Sequence, residues 1–292
     1  MKFAVYGKQL AEPFLPLLQT LLDKLEPAGG PMFFYEPFFE TISGKLRFTS
    51  TPFLFNKSED ISGRADILFS IGGDGTMLEA VSLVGDAGTI LAGVNMGRLG
   101  FLSSISKQQI IPALDAILAC EYKLDERTLL KLETSQGLFK PSNHALNEIS
   151  VSKADPMSML TIQTWVNGDF LNSYLADGLI VATPTGSTAY SLSCTGPIIA
   201  PDAGSFVITP IATHNLTVRP VVLRDDVEIR IQVGGRGNSF FVSMDSRIQK
   251  VENPLELLIR KAEFKVRILR LRDASFFNTL RDKLHWGLDV RN

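Results

Sequence analysis

The sequence predicts an α/β domain with a mostly parallel sheet, followed by an all-β sandwich. Three observations carry this. Apolar runs of strand length alternate with segments of helical spacing through the first ~120 residues. From Leu129 onward helical spacing nearly vanishes and period-two alternation replaces it. Between two alternating runs stands Val166-Asn167-Gly168-Asp169, the strongest short signal for a two-residue hairpin.

In order, Phe3-Ala4-Val5-Tyr6 reads as the first strand, and residues 14–25 as a helix with Leu15, Leu18, Leu22 and Leu25 on one face. Pro31 opens a short apolar segment, and a helix follows near 37–43. Residues 65–71 form a strand, 76–83 a helix, 89–94 a strand, and 107–120 a helix with Ile110, Leu114, Ile117 and Leu118 along one side. In such a sheet ligands sit at the carboxyl ends of strands, where residues 72–76 lie. Later, 161–166, 170–174 and 227–233 alternate; Gly234-Gly235-Arg236-Gly237-Asn238 turns into 239–244; and 264–268 alternates again. This places one domain at 1–122 and a second at 123–269. From Ser275 to Asn292 the spacing of Phe276, Leu280 and Leu284 is helical at first.

A formal net charge of -2 leaves no global reason to expect nucleic acid or membrane lipid as partner. No stretch reaches the ~18 apolar residues of a spanning helix, and the N-terminus lacks the apolar core of a signal peptide. Cys120 and Cys194 make no disulfide framework and read as reduced thiols of a cytoplasmic protein. His144, His214 and His285 have no metal-ligand spacing, so no protein metal site is expected.

Gly72-Gly73-Asp74-Gly75-Thr76 follows the apolar run Ile67-Leu68-Phe69-Ser70-Ile71 and precedes the helix-like Met77-Leu78-Glu79-Ala80-Val81. Strand, glycine turn and helix start set backbone N–H groups against phosphate. Gly-Asp-Gly also makes ordinary tight turns. The run is neither a Walker A loop nor Gly-x-Gly-x-x-Gly. A second segment decides: Asp177-Gly178-Leu179-Ile180-Val181-Ala182-Thr183-Pro184-Thr185-Gly186-Ser187-Thr188-Ala189-Tyr190. A buried-strand run there ends in a turn dense in hydroxyls, suited to sugar and base edges, with Tyr190 as a stacking face. These two segments, with Asn147-Glu148 between them, resemble the NAD kinase family in kind and order. Asn95-Met96-Gly97-Arg98-Leu99-Gly100-Phe101-Leu102 and His214-Asn215-Leu216-Thr217-Val218-Arg219-Pro220 are similar to segments of that family too, so the resemblance runs from about residue 65 to 222.

The resemblance implies transfer of a phosphoryl group, usually from ATP, to the 2′-hydroxyl of the adenosine ribose of NAD. Asp74 would be the general base, Gly73, Gly75 and Thr76 would meet phosphate, and a divalent ion, Mg²⁺ above all, would neutralise the donor phosphates. Asn147 and Glu148 would bond base or ribose, although on a strand their side chains face opposite ways and the plain reading is one solvated residue and one turn residue. Asp177 would accept bonds from ribose or carboxamide, with Thr188, Ala189 and Tyr190 around the adenine, Phe101 packed nearby, and Thr185 and Ser193 in the same run. The resemblance also implies that the tail, 270–292, returns to the first domain, and a homotetramer or homodimer in which Asp177 and Ala212 serve a neighbouring subunit's site. His214 reads as structural and hydrogen-bonded, Arg219-Pro220 as structural, and His285 and Trp286 as packing residues.

Two departures stand out. Asp245-Ser246-Arg247 replaces the family's Asp-Gly-Gln; losing the glycine changes the accessible backbone angles, and Arg247 adds a cation for phosphate or a partner subunit. Leu175 stands where many relatives carry a basic or small residue, which leaves the donor open between ATP and polyphosphate. Two other readings share features. A lipid or sphingoid-base kinase has the same glycine turn but needs an apolar acceptor site. A non-catalytic NAD(P) sensor would keep the nucleotide residues yet have no use for Asp74. A phosphofructokinase has a related turn in a chain that is α/β throughout.

Overall fold

The computed structural model describes residues 1–97, 100–103, 105–235, 239–252 and 254–285. Arg98 and Leu99 of the 95–102 block, residues 236–238 of the glycine-rich turn, and Trp286 with the end of the expected terminal helix lie outside the described residues. The chain divides into two compact units: Met1–Glu126 with the segment from Val266, and Arg127–Lys265.

The first unit is built from β1 (Phe3–Gly7), α1 (Leu15–Gly29), β2 (Phe33–Tyr35), α2 (Glu36–Ile42), β3 (Phe53–Phe55), α3 (Ser58–Ile61), β4 (Ile67–Ile71), α4 (Asp74–Val84), β5 (Ile90–Asn95), β6 (Ile105–Ser106) and α5 (Ile110–Leu118). β1 and β4 are buried at every position, which is why they read as unbroken apolar runs rather than alternating ones. α1 buries Leu18, Leu21, Leu22 and Leu25 on one face; it runs past Pro27 and stops at Gly30, whose φ of 74° no helix continues. Five strands pair in parallel in the order β5-β4-β1-β2-β3. The chain winds outward from β1 to β3, then returns to place β4 on the other side of β1. The switch point of the sheet therefore lies where the carboxyl ends of β1 and β4 meet, with Gly7 in register with Ile71. Edge strand β3 and helix α3 fall in a stretch where the sequence pattern suggested no element; Phe53 and Leu54 are exposed, so period and burial were both weak there.

The second unit continues β7 (Tyr122–Glu133) into β8 (His144–Ala145), β9 (Glu148–Lys153), β10 (Leu160–Val166), β11 (Asp169–Ala176), β12 (Gly178–Ala182), the single helical turn α6 (Tyr190–Ser193), β13 (Ser205–Ile211), β14 (Val221–Arg224), β15 (Ile229–Gly235), β16 (Ser239–Met244), β17 (Arg247–Glu252) and β18 (Leu255–Leu271). One layer has the order β11-β10-β15-β18, the other β14-β13-β12-β9-β16-β17. The paired strands within both layers are antiparallel. Their apolar faces share a core that includes Ile162, Tyr174 and Ile231 from one layer and Val151, Val181 and Phe240 from the other. The Asn167-Gly168 hairpin joins β10 to β11 with φ of 51° and 89°, the pair of positive angles a twisted two-residue hairpin needs. β15 and β16 belong to different layers, so the chain changes sheet between them. Turn composition alone cannot tell a hairpin from a crossing.

β18 is long enough to serve both units. Leu255 to Ile259 pair with β15, and further along Ile268 pairs in parallel with Leu91 of β5. After it, α7 (Phe276–Leu284) belongs to the first unit. The helix ends at His285 in the left-handed conformation, and His285 is exposed, so it is a helix terminus rather than the packing residue expected.

Candidate functional site

At the carboxyl end of β4 the backbone turns sharply. A Cβ on Gly72 would lie 2.3 Å from Thr76 Oγ1, so no side chain fits. Gly73, exposed and extended, caps α4, which begins at Asp74, two residues earlier than the sequence pattern placed it. The first-turn N–H groups of α4 have no intrahelical acceptor and carry the positive end of the helix dipole. Gly73 and Gly75 have open space where a Cβ would stand, and Thr76 is half-buried beside them.

The Asp74 carboxylate is gripped by the loop after β5. Its Oδ2 accepts the Phe101 N–H at 2.7 Å, and its Oδ1 accepts those of Leu102 at 3.2 Å and Ser103 at 3.1 Å. A Cβ on Gly100 would sit 1.7 Å from Oδ1, so that loop approaches only as glycine. A carboxylate offers about four acceptor positions. Among the described residues these bonds fill both on Oδ1 and one on Oδ2, and leave one position on Oδ2 open. The Phe101 ring lies 6.4 Å from the Phe276 ring and 5.8 Å from Lys283 Nζ.

In the second unit a second aspartate does the same work. Asp245 Oδ2 accepts the Leu146 N–H at 2.9 Å, and Oδ1 accepts those of Asn147 at 2.8 Å and Glu148 at 3.2 Å. The left-handed angle of that hairpin falls on Asp245 itself, φ 51°, so the serine that replaces the family's glycine is not the strained position. Arg247 donates to the carbonyls of Ser142 and His144, the latter at 2.6 Å, and lies over the Phe139 ring. Together Asp245 and Arg247 hold residues 142–148. Glu148 is thereby kept in an apolar setting. Burial first, and the Asp245 charge second, push its carboxyl up to about 8, and its Oε2 is buried with no hydrogen-bond partner.

Asn147 is buried against the 183–186 turn, its carbonyl accepting the Thr183 N–H at 2.9 Å. A Cβ on Gly186 would be 2.1 Å from that carbonyl oxygen. The hydroxyls expected to read sugar and base are mostly turned inward. Thr183 Oγ1 donates to Leu146 O at 2.6 Å, Ser187 Oγ to Pro184 O at 2.7 Å, and Ser191 pairs with Thr209. Thr185 Oγ1 accepts from the buried Arg127 at 3.0 Å. The turn is dense in hydroxyls chiefly because it must satisfy its own backbone. Thr188 and Ala189 are half-buried, while Tyr190 is 45% exposed, which excludes a core aromatic and leaves its face open for stacking. Burial and a hydrogen bond with Cys194 raise the Tyr190 hydroxyl. Ser193 and Ala212 line a cavity of about 640 Å³ with Cys194, Pro210 and Arg219. Asp177 pairs with Lys153 at 2.8 Å. His214, expected to be hydrogen-bonded and structural, makes its bond through the backbone, its N–H donating to Leu175 O at 3.0 Å; the residue is exposed. Arg219 donates to the carbonyls of Leu216 and Val218.

Residues 55–122 match the ATP-NAD kinase N-terminal domain and residues 146–271 the ATP-NAD kinase C-terminal domain. The NAD kinase of Cytophaga hutchinsonii is 41% identical over the whole of both chains, and that of Flavobacterium johnsoniae 43%. The chain belongs to the NAD kinase family. It is accordingly a phosphotransferase, and neither the sensor nor the lipid-kinase reading finds support. Among solved structures, yeast NADH kinase complexed with NADH shares the fold at a TM-score of 0.88 and 23% identity, covering 99% of this chain and 88% of that one. An NAD kinase from Archaeoglobus fulgidus in complex with ATP superposes at 0.69 with 25% identity, covering 98% and 99%. Among the described residues no helix is long and apolar enough to cross a membrane.

Sequence reasoning gave no role to three residues that hold this geometry together. Gly100 was seen only as part of the 95–102 block and Arg127 had no local signal, because each meets a residue far along the chain. Asp245 was noticed only as a departure, although Asp and its turn position mark a side chain that bonds backbone.

Proposed function

We propose that the chain transfers the terminal phosphoryl group of ATP to the 2′-hydroxyl of the adenosine ribose of NAD, giving NADP and ADP. The observation that carries this reading is the Asp74 carboxylate, fixed beside a helix N-terminus with one acceptor position on Oδ2 left open by the described residues. A ribose hydroxyl is a weak nucleophile at neutral pH. As its oxygen bonds to the γ-phosphorus, its proton passes to Asp74 Oδ2. The bond from that phosphorus to the bridging oxygen breaks, and the electron pair leaves with ADP. Phosphate is taken by the N–H groups of Gly73, Gly75 and Thr76 at the start of α4, at the sheet's switch point.

The second unit supplies the NAD site. Asn147 and Glu148 bond the ribose or base, Thr188, Ala189 and Tyr190 surround the adenine, and Asp177, Ser193 and Ala212 lie toward the remainder, with Thr185 supporting the turn. Mg²⁺ supplies charge neutralisation on the donor. No group of three His, Cys, Asp or Glu among the described residues could hold it, so it would arrive on the phosphates. The free thiols Cys120 and Cys194 suit a cytoplasmic enzyme. A homodimer or homotetramer, in which Asp177 and Ala212 serve a neighbour, rests on family resemblance, and light scattering tests it.

The decisive assay is NADP formation from NAD, ATP and Mg²⁺, read by an NADP-specific dehydrogenase, with Asp74→Asn alongside. NADP from the parent chain alone supports the reading. NADP with polyphosphate but not ATP reassigns the donor, and no NADP with either donor overturns the reading.

A further inference from the structure

The peptide group joining Phe101 to Leu102 has a partner at each end. Its N–H donates to Asp74 Oδ1 at 3.2 Å, and its carbonyl accepts from Arg270 Nη2 at 3.1 Å. Arg270 is 9% exposed, and its Nε donates to Asp125 Oδ2 at 3.2 Å, which fixes the plane of the guanidinium. All of these residues belong to the first unit. A cation on a carbonyl oxygen draws electron density toward it and strengthens the donor at the other end of the same amide. The order Asp125, Arg270, peptide, Asp74 is therefore one polarised relay.

We infer that Arg270 is a positioning residue for the phosphoryl transfer, acting on Asp74 through the Phe101–Leu102 peptide and orienting the open acceptor position of Oδ2. It touches neither substrate nor reacting atom. Without its charge the loop loses one fixed end, and Asp74 holds its rotamer less well. Binding of NAD, which uses side chains of the other unit, is unaffected. This rests on the role of Asp74 proposed above, and the test separates the two.

The test is a double-mutant cycle of Arg270→Gln and Asp74→Asn in the full chain, together with an amide spectrum. Arg270→Gln is expected to lower kcat about 10- to 100-fold, the range for a hydrogen bond to a charged group, with KM for NAD within about threefold. On the Asp74→Asn background it is expected to cost less than about threefold more, because two residues acting through one another are not additive. The chain contains four Phe-Leu pairs, at 14–15, 53–54, 101–102 and 170–171. Labelling Phe carbonyl carbon and Leu nitrogen therefore isolates four amides. The Leu102 proton is expected to move upfield in Arg270→Gln, and the other three to stay. Arg270→Lys, which keeps the charge, should restore part of kcat and serves if the glutamine variant does not fold. An unchanged kcat, full additivity, or an unmoved Leu102 amide overturns the inference. Wild-type turnover in Asp74→Asn instead overturns the role of Asp74, and the Leu102 shift then decides the relay by itself.

Discussion

Asp74 and Asp245 hold the same local arrangement and differ in use. Each accepts N–H groups from three consecutive residues, 101–103 and 146–148, two on Oδ1 and one on Oδ2. Asp74 stands half-buried at a helix start beside glycines with open space around them. Asp245 is half-buried as well, at the left-handed position of a hairpin, and burial raises its carboxyl against the pull of its three N–H donors and of Arg247. Around Asp74 the backbone holds a carboxylate in place, the one proposed above to face substrate. Around Asp245 the carboxylate shapes a backbone that presents Asn147 and Glu148. What differs is the setting: a helix start beside open glycines in one case, a hairpin between two strands in the other.

The comparison breaks most decisively at Asp74. Asp74→Asn should cut kcat by about 10² to 10⁴-fold, the range for a positioned general base, and leave NAD binding near that of the parent in a titration. Asp245→Ala should act the other way round. Three buried N–H groups lose their acceptor, so unfolding free energy should fall by about 3 kcal/mol in urea. KM for NAD should rise about tenfold as Asn147 and Glu148 shift, while kcat stays within about threefold. If both variants lose kcat alone, the distinction between the two aspartates fails.

A smaller effect sharpens it. Folded Glu148 keeps its proton to about pH 8, while the unfolded side chain releases it near its ordinary value of 4.5. The folded state thus holds the extra proton across that window, and stability falls as pH rises from about 4.5 to about 8. Urea midpoints at pH 5.5 and 8.5 should differ for the parent, and Glu148→Gln should narrow the difference. Smallest is Arg247→Met, expected to lower stability by about 1–2 kcal/mol through its carbonyl bonds, with turnover by the folded protein unchanged. A loss of turnover without a loss of stability would return Arg247 to the substrate.

Most of the architecture was legible because its signals are local. Unbroken apolar runs gave the parallel strands, and Asn167-Gly168 gave a hairpin whose two positive angles the structure repeats. The glycine turn at 72–76 was legible as a place, since strand, glycine and helix follow one another directly. What the sequence hid is nonlocal. Asp245 reaches Asn147 from 98 residues away, and Arg270 reaches Phe101 from 169. The change of layer after β15 was hidden for a related reason: glycines permit either route, and only the pairing of β16 with β9 chooses. Composition likewise could not say that Thr183 and Ser187 donate back to nearby backbone carbonyls.

The long strand β18 has a consequence for the order in which the molecule comes into being. A ribosome finishes the β1-to-α5 segment long before it reaches Ile268, which pairs with Leu91, or Arg270, which bonds the Phe101 carbonyl. The nascent first unit therefore emerges with one side of β5 not yet joined by β18 and with the loop that grips Asp74 lacking its second anchor. The sandwich is translated in the interval. Only when the strand leading out of it is delivered does the first unit close. Birth order thus leaves Asp74, the base proposed above, without its finished setting until the end, so a chain halted within the sandwich would carry the glycine turn incomplete.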